Sequence, residues 1–465
     1  MKYKINGFTI VELLAVLIIL GILALIAVPV ILNLVRDARN NANIKSIDNL
    51  IRASKYYYSQ RMIDDEISDN INNLNDVYDV INVNGNKPEK GSLYINKTGD
   101  IALYVDFGDS YYLKKFDGEG KMYNEKSKGD VDLLQIVPSG ILLDVARKYY
   151  TVDQIKDFID ILSYQKNSFL QLHFSDDPNV GIESVYLDQT KDAATVSNGI
   201  YTNPKTGKSF LTFEQVKEIM DYCKEKNVEF IPEIDVPAHM TGFFNLARIK
   251  FGDEYVNKFA KGTGSESGNI DIVVEEAQEF IYSIYDEYTE FFKDCDIFHM
   301  GFDEYTYRID EKLDFINDLS SYLINKGFTV RMWNDSITKD NMDQINKKIQ
   351  ITYWNYFGTK YATVPDLQEA GFKVILTNAY YLFFVPSTAN TNEHDLNYTV
   401  NDIVNNWTLE KWDNAQNTSL VNYNNLIGSF ICVWNEFSEE VEYDIIFNQT
   451  SRMYNAMVNK IKYKN

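Results

Sequence analysis

The residues of this 465-residue chain best equipped to do chemistry stand in succession at the ends of short apolar runs. Asp144 and Arg147 come with ILLDV, His173 with Asp176 and Asp177 after FLQL, and Glu233, Asp235 and His239 at the end of EFIPEID. Then follow the adjacent pair Asp303-Glu304, the triplet Trp333-Asn334-Asp335, Trp354, Tyr380-Tyr381, and Trp434 with Glu436. Segments that only packed would gain nothing from carboxylates gathered there, because unpaired charge is costly to bury. Carboxylates to take hydroxyls, Trp faces to stack on rings and a carboxyl to give and accept a proton are together what a sugar-handling site requires. The pair Asp303-Glu304 is the candidate catalytic centre. Successive residues of a strand point to opposite faces, so both reach one site only where the strand ends and turns. Two adjacent carboxylates also repel, which predicts a raised pKa for one of them and a protonated Glu304.

The elements that must position these residues read as alternating strands and helices from Gly140 onward. Eight apolar runs (ILLDV, FLQLHFS, EFIPEID, IFHMGF, TVRMW, QITYW, KVILTN and IGSFICVW) alternate with helical patterns such as 152–166, 212–226 and 273–293. That alternation predicts an α/β fold, a (β/α)8 TIM-type barrel, whose working residues sit at the C-terminal ends of the strands. Upstream the pattern differs. Between Phe8 and Val35 the only ionisable residue is Glu12, and the run is long enough to cross a bilayer as a helix. Lys2 and Lys4 precede it, which predicts a cytoplasmic N-terminus. Pro29 should kink the helix, which continues amphipathically to about Tyr58. Residues 62–90 are rich in Asn and Asp; the stretch from Ser92 to Tyr123 alternates apolar and polar residues between turns, as a small antiparallel meander does; Lys126–Asp130 reads as a linker.

Composition narrows the function classes. With 45 Lys+Arg against 67 Asp+Glu the net charge is -22, so nucleic acid is not an expected partner. Cys223, Cys295 and Cys432 are odd in number and lie in or beside apolar segments, as buried thiols do and a disulfide framework does not. Four His and three Cys, with no pair at ligand spacing, argue against a metal site, and nothing calls for a cofactor.

Two resemblances sharpen this. Gly7 followed by Phe8, Glu12 five places after that junction and Pro29 at the twenty-second place resemble the type IV prepilin N-terminus. The resemblance implies a leader over 1–7 cut by a prepilin peptidase, N-methylation of Phe8, a transmembrane and stalk helix over 8–58, and Glu12 pairing with the amino terminus of a neighbouring pilin subunit. A pilin-like small α+β domain and linker would fill 59–130. The remaining segment, 131–465, resembles glycoside hydrolase family 20, the β-N-acetylhexosaminidases and lacto-N-biosidases, over about residues 138–460. ILLDVARKYY, LQLHFSDD, IPEIDVPAH, FHMGFDEY, MWND, TYWNY, YYLFF and VWNEF occur in family order. The resemblance implies substrate-assisted hydrolysis of a glycan ending in an N-acetylated sugar, an exception to the usual two-carboxylate scheme. Glu304 would be acid and base, and Asp303 would hold the acetamido N–H. Arg147 and Glu436 would take ring hydroxyls, Trp333, Trp354 and Trp434 would wall the site, and Tyr381 would bond the acetamido oxygen. Asp176 or Asp177 with His239 would orient Glu304. Many members carry Asp where Phe383 stands. The expectation is a surface enzyme, membrane-anchored or pilus-associated, releasing terminal N-acetylglucosamine or N-acetylgalactosamine. The alternatives are a lacto-N-biosidase and a pilin whose barrel only binds glycans.

Overall fold

The computed structural model describes residues 10–62, 78, 81–95, 101–114, 120–123, 137–261, 268–305, 307–308, 311–412 and 425–461. The chain divides into two compact units, residues 1–135 with 463–465, and residues 136–462.

The first unit is built on one helix, Ile10–Met62, which runs through Pro29. Beyond Asn40 it buries one face, with Asn43, Ser46, Ile47, Leu50, Ser54 and Tyr58 at helical spacing. Ile47, Leu50 and Tyr58 join Leu93, Ile95, Ile101, Leu103, Val105 and Tyr112 in a small core. The strand residues come from an antiparallel sheet of Lys90–Ile95, Ile101–Asp106, Tyr111–Lys114 and Lys121–Tyr123, paired in sequence order. The N-terminal part of the helix keeps Leu13, Leu14, Leu17–Leu20 and Val28 to Val35 exposed. Among the described residues no helix is long and apolar enough to cross a membrane. The span expected from Phe8 to Val35 is thus not shown: Phe8 lies outside the described residues, as do Gly7, the Glu12 side chain and the linker Lys126–Asp130.

The second unit is a closed barrel of eight parallel strands: β1 Ser139–Asp144, β2 Ser168–His173, β3 Glu229–Val236, β4 Ile297–Gly301, β5 Thr329–Trp333, β6 Gln350–Tyr353, β7 Lys373–Leu376 and β8 Leu426–Val433. Neighbours pair in order, and β8 closes the ring by pairing β7 through Leu376 and Ser429 and β1 through Ser429 and Ser139. All eight expected runs are strands of this barrel. Each reads as a nearly continuous apolar run because a parallel strand is covered on both faces, and every residue of β1 and β2 is buried. Leu142, Phe169, Ile231, Ile297, Ile375 and Phe430 fill the inside, with Trp333 and Trp434 toward its upper end.

Helices Val152–Ser163, Phe213–Glu225 and Val364–Glu369 each start at a capping box, on Thr151, Thr212 and Thr363. Among the described residues several connections depart from this rhythm. Between β2 and its helix the chain inserts a three-stranded sheet over residues 195–210. Between β5 and β6 the described residues hold only the 3-10 turns Asn334–Ser336 and Met342–Gln344. Cys223, Cys295 and Cys432 are free thiols; Cys223 and Cys432 are buried and Cys295 half-buried.

Candidate active site

The site begins with a backbone manoeuvre at the end of β4. The strand stops at Gly301, whose φ is +74°, and Phe302 and Glu304 follow at +73° and +50°. Side-chain-bearing residues rarely hold such angles, and when they do the surrounding structure has over-determined them. Here the Phe302 N–H is held by the Val236 carbonyl at 3.0 Å and by Asp235 Oδ1 at 3.2 Å. The turn sends Asp303 and Glu304 into one cavity of about 200 Å³, which also meets Arg147, Asp176, His239, Trp333, Trp354, Phe383, Trp434 and Glu436.

Asp144, fully buried at the end of β1, accepts the Ala146 and Arg147 N–H groups at 3.1 and 3.0 Å and thereby shapes the turn that carries Arg147. The Arg147 guanidinium lies 3.1 Å from Asp144, 2.6 Å from Asp176 and 3.9 Å from Glu436, over the Trp434 ring at 5.8 Å. Asp176 is the junction of the charge network: Oδ2 takes Arg147 and His173 (2.8 Å), while Oδ1 faces His239 Nδ1 at 3.0 Å. The other nitrogen of His239 faces both members of the candidate pair, 3.7 Å from Asp303 and 3.6 Å from Glu304. Asp177 stands 3.7 Å from His239 and accepts the Thr241 N–H.

Electrostatics separate the two carboxyls. Burial alone would discharge His239, but Asp176 and Asp303 hold its pKa well above the ordinary value, so the ring is an imidazolium. The imidazolium 3.6 Å from Glu304, outweighing partial burial, keeps the Glu304 carboxyl below its ordinary range. This corrects the expectation that mutual repulsion would keep Glu304 protonated. The repulsion falls elsewhere: burial beside Asp303 pushes Asp235 far up, so the Asp235–Asp303 pair retains a proton on Asp235, and burial near Asp303 raises Asp335 to about 7. Glu304 escapes because its side chain is 59 % exposed at the cavity mouth, whereas Asp235 is fully buried.

Beneath the cavity Glu233 accepts from Trp333 Nε1 at 2.8 Å and Gln171 at 2.9 Å, and faces His173 and His299 at 3.2 and 3.1 Å. Burial would raise its pKa, but the two imidazoles hold it well below the ordinary range. Trp333 is thereby fixed as the floor. Trp354 is half-buried, stacked on Phe383 (5.7 Å between ring centres, 10° apart), and donates to Asp335 Oδ2 at 2.6 Å. Trp434 meets the Phe383 ring edge-on at 5.9 Å.

Besides Asp177, the expected site residue outside this cavity's lining is Tyr381. It lies on the short helix Ala379–Leu382, 3 % exposed within the outer core, against Tyr380 and under Lys411. The place two residues on, Phe383, faces the cavity instead. Asp335 went unassigned in the sequence although it receives the Glu304 N–H at 3.2 Å; its position straight after β5 was the available signal. Among the described residues two triads, Asp176–Asp177–His239 and Asp235–His239–Asp303, bring metal-capable atoms within 4.8 Å of one another. His239 belongs to both, and as an imidazolium it already supplies the cation those carboxylates need.

Comparison with known proteins follows the division into units. The family model "Glycosyl hydrolase family 20, catalytic domain" matches residues 139–312 and 306–450, and the "Prokaryotic N-terminal methylation motif" matches residues 2–28. Among solved structures, that of Dispersin B is 34% identical with a TM-score of 0.66, covering 70% of this chain and 98% of that one. A catalytic module of the pneumococcal exo-β-D-N-acetylglucosaminidase StrH, 21% identical with a TM-score of 0.56, covers 71% and 84% and shares the fold. Among curated relatives, the chitooligosaccharidolytic β-N-acetylglucosaminidase of Bombyx mori is 26% identical over 276 residues, 53% of this chain and 44% of the relative. The lacto-N-biosidase of Bifidobacterium bifidum is 28% identical over 287 residues, 56% and 23%. The chain thus spans less than half the length of these two relatives.

Proposed function

Given that the chain belongs to glycosyl hydrolase family 20, we propose that its barrel unit is a retaining exo-β-N-acetylhexosaminidase, acting on glycans that end in N-acetylglucosamine or N-acetylgalactosamine. The observation that carries this reading is the turn after β4, which aims Asp303 and Glu304 together into a cavity walled by three Trp rings and reached by Arg147. The substrate's acetamido oxygen attacks the anomeric carbon as the glycosidic bond breaks. Glu304 gives its proton to the departing oxygen. Asp303 accepts the acetamido N–H and offsets the charge of the oxazolinium formed. Water then adds at the anomeric carbon, Glu304 takes its proton, and the acetamide re-forms. Arg147 and Glu436 hold ring hydroxyls, and Trp333, Trp354 and Trp434 enclose the ring.

The lacto-N-biosidase alternative asks for a pocket that takes two sugars; a cavity of about 200 Å³ floored by Trp333 favours one. The test is the Glu304→Gln variant on 4-nitrophenyl N-acetyl-β-glucosaminide. Turnover should fall by about 10²–10⁴-fold with the fold intact by circular dichroism, and unchanged turnover would sink the assignment.

The segment organisation supports a surface location. The methylation motif supports cleavage after Gly7, and the exposed apolar residues from Leu13 to Val35 offer a surface that lipid or neighbouring pilin subunits would cover. We infer a membrane-anchored or pilus-associated enzyme: leader 1–7, anchor and stalk 8–58, pilin-like domain and linker 59–130, extracellular barrel 131–465.

A further inference from the structure

Glu304 and His239 line two cavities. One is the sugar pocket just described; the other, about 440 Å³, also meets Glu304 and is walled by Asp177, Lys312, Asp335 and Lys360 among others. On the glycosidase reading above, on which this inference rests, Glu304 must touch the oxygen joining the terminal sugar to whatever it leaves. The second cavity is then where the leaving group sits.

Its walls carry two cations that make no ion pair among the described residues. Lys312 is the first residue of the helix Lys312–Asn325, an end where the helix dipole disfavours positive charge. Its Nζ donates to the Tyr305 carbonyl at 3.3 Å and makes no ion pair among the described residues. Burial lowers its pKa, and Lys360 is near enough to lower it further against the pull of Asp335. Lys360 is exposed and rests over the Tyr361 ring at 5.6 Å. Asp335 and Asp177, on the same wall, are committed elsewhere. Asp335 accepts the Glu304 N–H with one oxygen and Trp354 Nε1 with the other, and Asp177 accepts the Thr241 N–H and faces His239. A chain of net charge -22 could have neutralised two neighbouring ammonium groups without difficulty, yet it presents them to a cavity.

We propose that this cavity selects an anionic leaving group, a carboxylate or phosphate on the unit that bears the terminal N-acetylhexosamine, and that Lys312 and Lys360 are the residues that read it. Charge-assisted hydrogen bonds from ammonium to carboxylate or phosphate are about twice as strong as neutral ones, and a partly buried pair escapes most salt screening.

The test uses the full chain and matched substrates. N-acetyl-β-glucosaminyl glucuronate is compared with its glucose counterpart, and N-acetyl-β-glucosaminyl glycerol phosphate with the plain glycerol glycoside. The neutral aryl glycoside is the reference. At least one anionic member should show about tenfold higher kcat/KM than its neutral match, carried mainly by KM, and which pair responds tells carboxylate from phosphate. Lys312→Met and Lys360→Met should bring that ratio toward one, and Lys312→Arg should keep it. Because Lys360 is exposed, its variant tests the idea even if Lys312→Met folds poorly. Ratios near one in the unmodified protein, or ratios that the substitutions leave unchanged, overturn the proposal while leaving hydrolysis standing. Inactivity on every substrate, the aryl glycoside included, overturns both readings.

Discussion

His239 decides how the two adjacent carboxyls differ. Its imidazolium faces both, but only Glu304 is exposed enough for that neighbouring charge to outweigh burial, so Glu304 is held in the charged form in the free protein. An acid must carry a proton, and the pH dependence of kcat/KM follows groups of the free enzyme, whereas that of kcat follows the substrate complex. A sugar covering Glu304 strips water from it and raises its pKa, so the alkaline limb of kcat should lie at higher pH than that of kcat/KM. Replacing the imidazolium removes what stabilises the carboxylate, and the proton is then held to higher pH. His239→Gln should therefore move the alkaline limb of kcat/KM upward and lower kcat by about 10²-fold through misplacement of Glu304; pH–rate profiles check this, and a limb that stays in place would count against it. The roll of charged residues was legible in the sequence because strand ends announce themselves. Which of them hold protons was not: the raised groups, Asp235, Asp303 and Asp335, are set by burial and by neighbours from other strands.

Among the elements, the end of β4 is the least tolerant. A Cβ on Gly301 would stand 1.6 Å from Asp235 Oδ1, at a φ of +74° that side-chain-bearing residues avoid. Asp235 is fully buried and cannot step aside. Gly301→Ala should cost roughly 2–5 kcal/mol, left-handed strain plus overpacking. Gly207→Ala is the control: its φ is +68° but nothing lies within 4 Å of the added carbon, so it should cost only about 1–2 kcal/mol. Denaturant midpoints of the two variants compare them directly, and equal losses would show that strain alone matters. The eight strands were readable because parallel strands covered on both faces become apolar runs. The absence of an α-helix between β5 and β6 was not, since Asn334–Ser336 and the turns after it carry no pattern that contrasts with a helix start. The position of Tyr381 was not legible either: it lies on the one-turn helix Ala379–Leu382, and the residue of this segment that lines the described cavity is Phe383.

At the scale of the whole molecule, each unit keeps a core of its own, Ile47 to Tyr112 in the first and Val137 to Ile461 in the second. Residues 136–462 produced alone should fold and turn over the aryl glycoside as the full chain does; an insoluble or inactive fragment would show that the barrel depends on what precedes it. In cell-envelope material the mature protein should begin at N-methylated Phe8, by N-terminal mass spectrometry, and a chain still starting at Met1 would refute processing. The methylation motif was legible in residues 2–28, which match its family model, because a lone Glu12 in an apolar run is costly unless paired. The floor that Trp333 and Glu233 put under the sugar pocket carries a kinetic corollary. A pocket closed at its base admits only chain ends, so the rate on a polymer should scale with the number of termini, not with mass. Free monosaccharide would accumulate from the first minutes while viscosity barely changed, and an enzyme that cuts within the polymer would accelerate this one by manufacturing new ends.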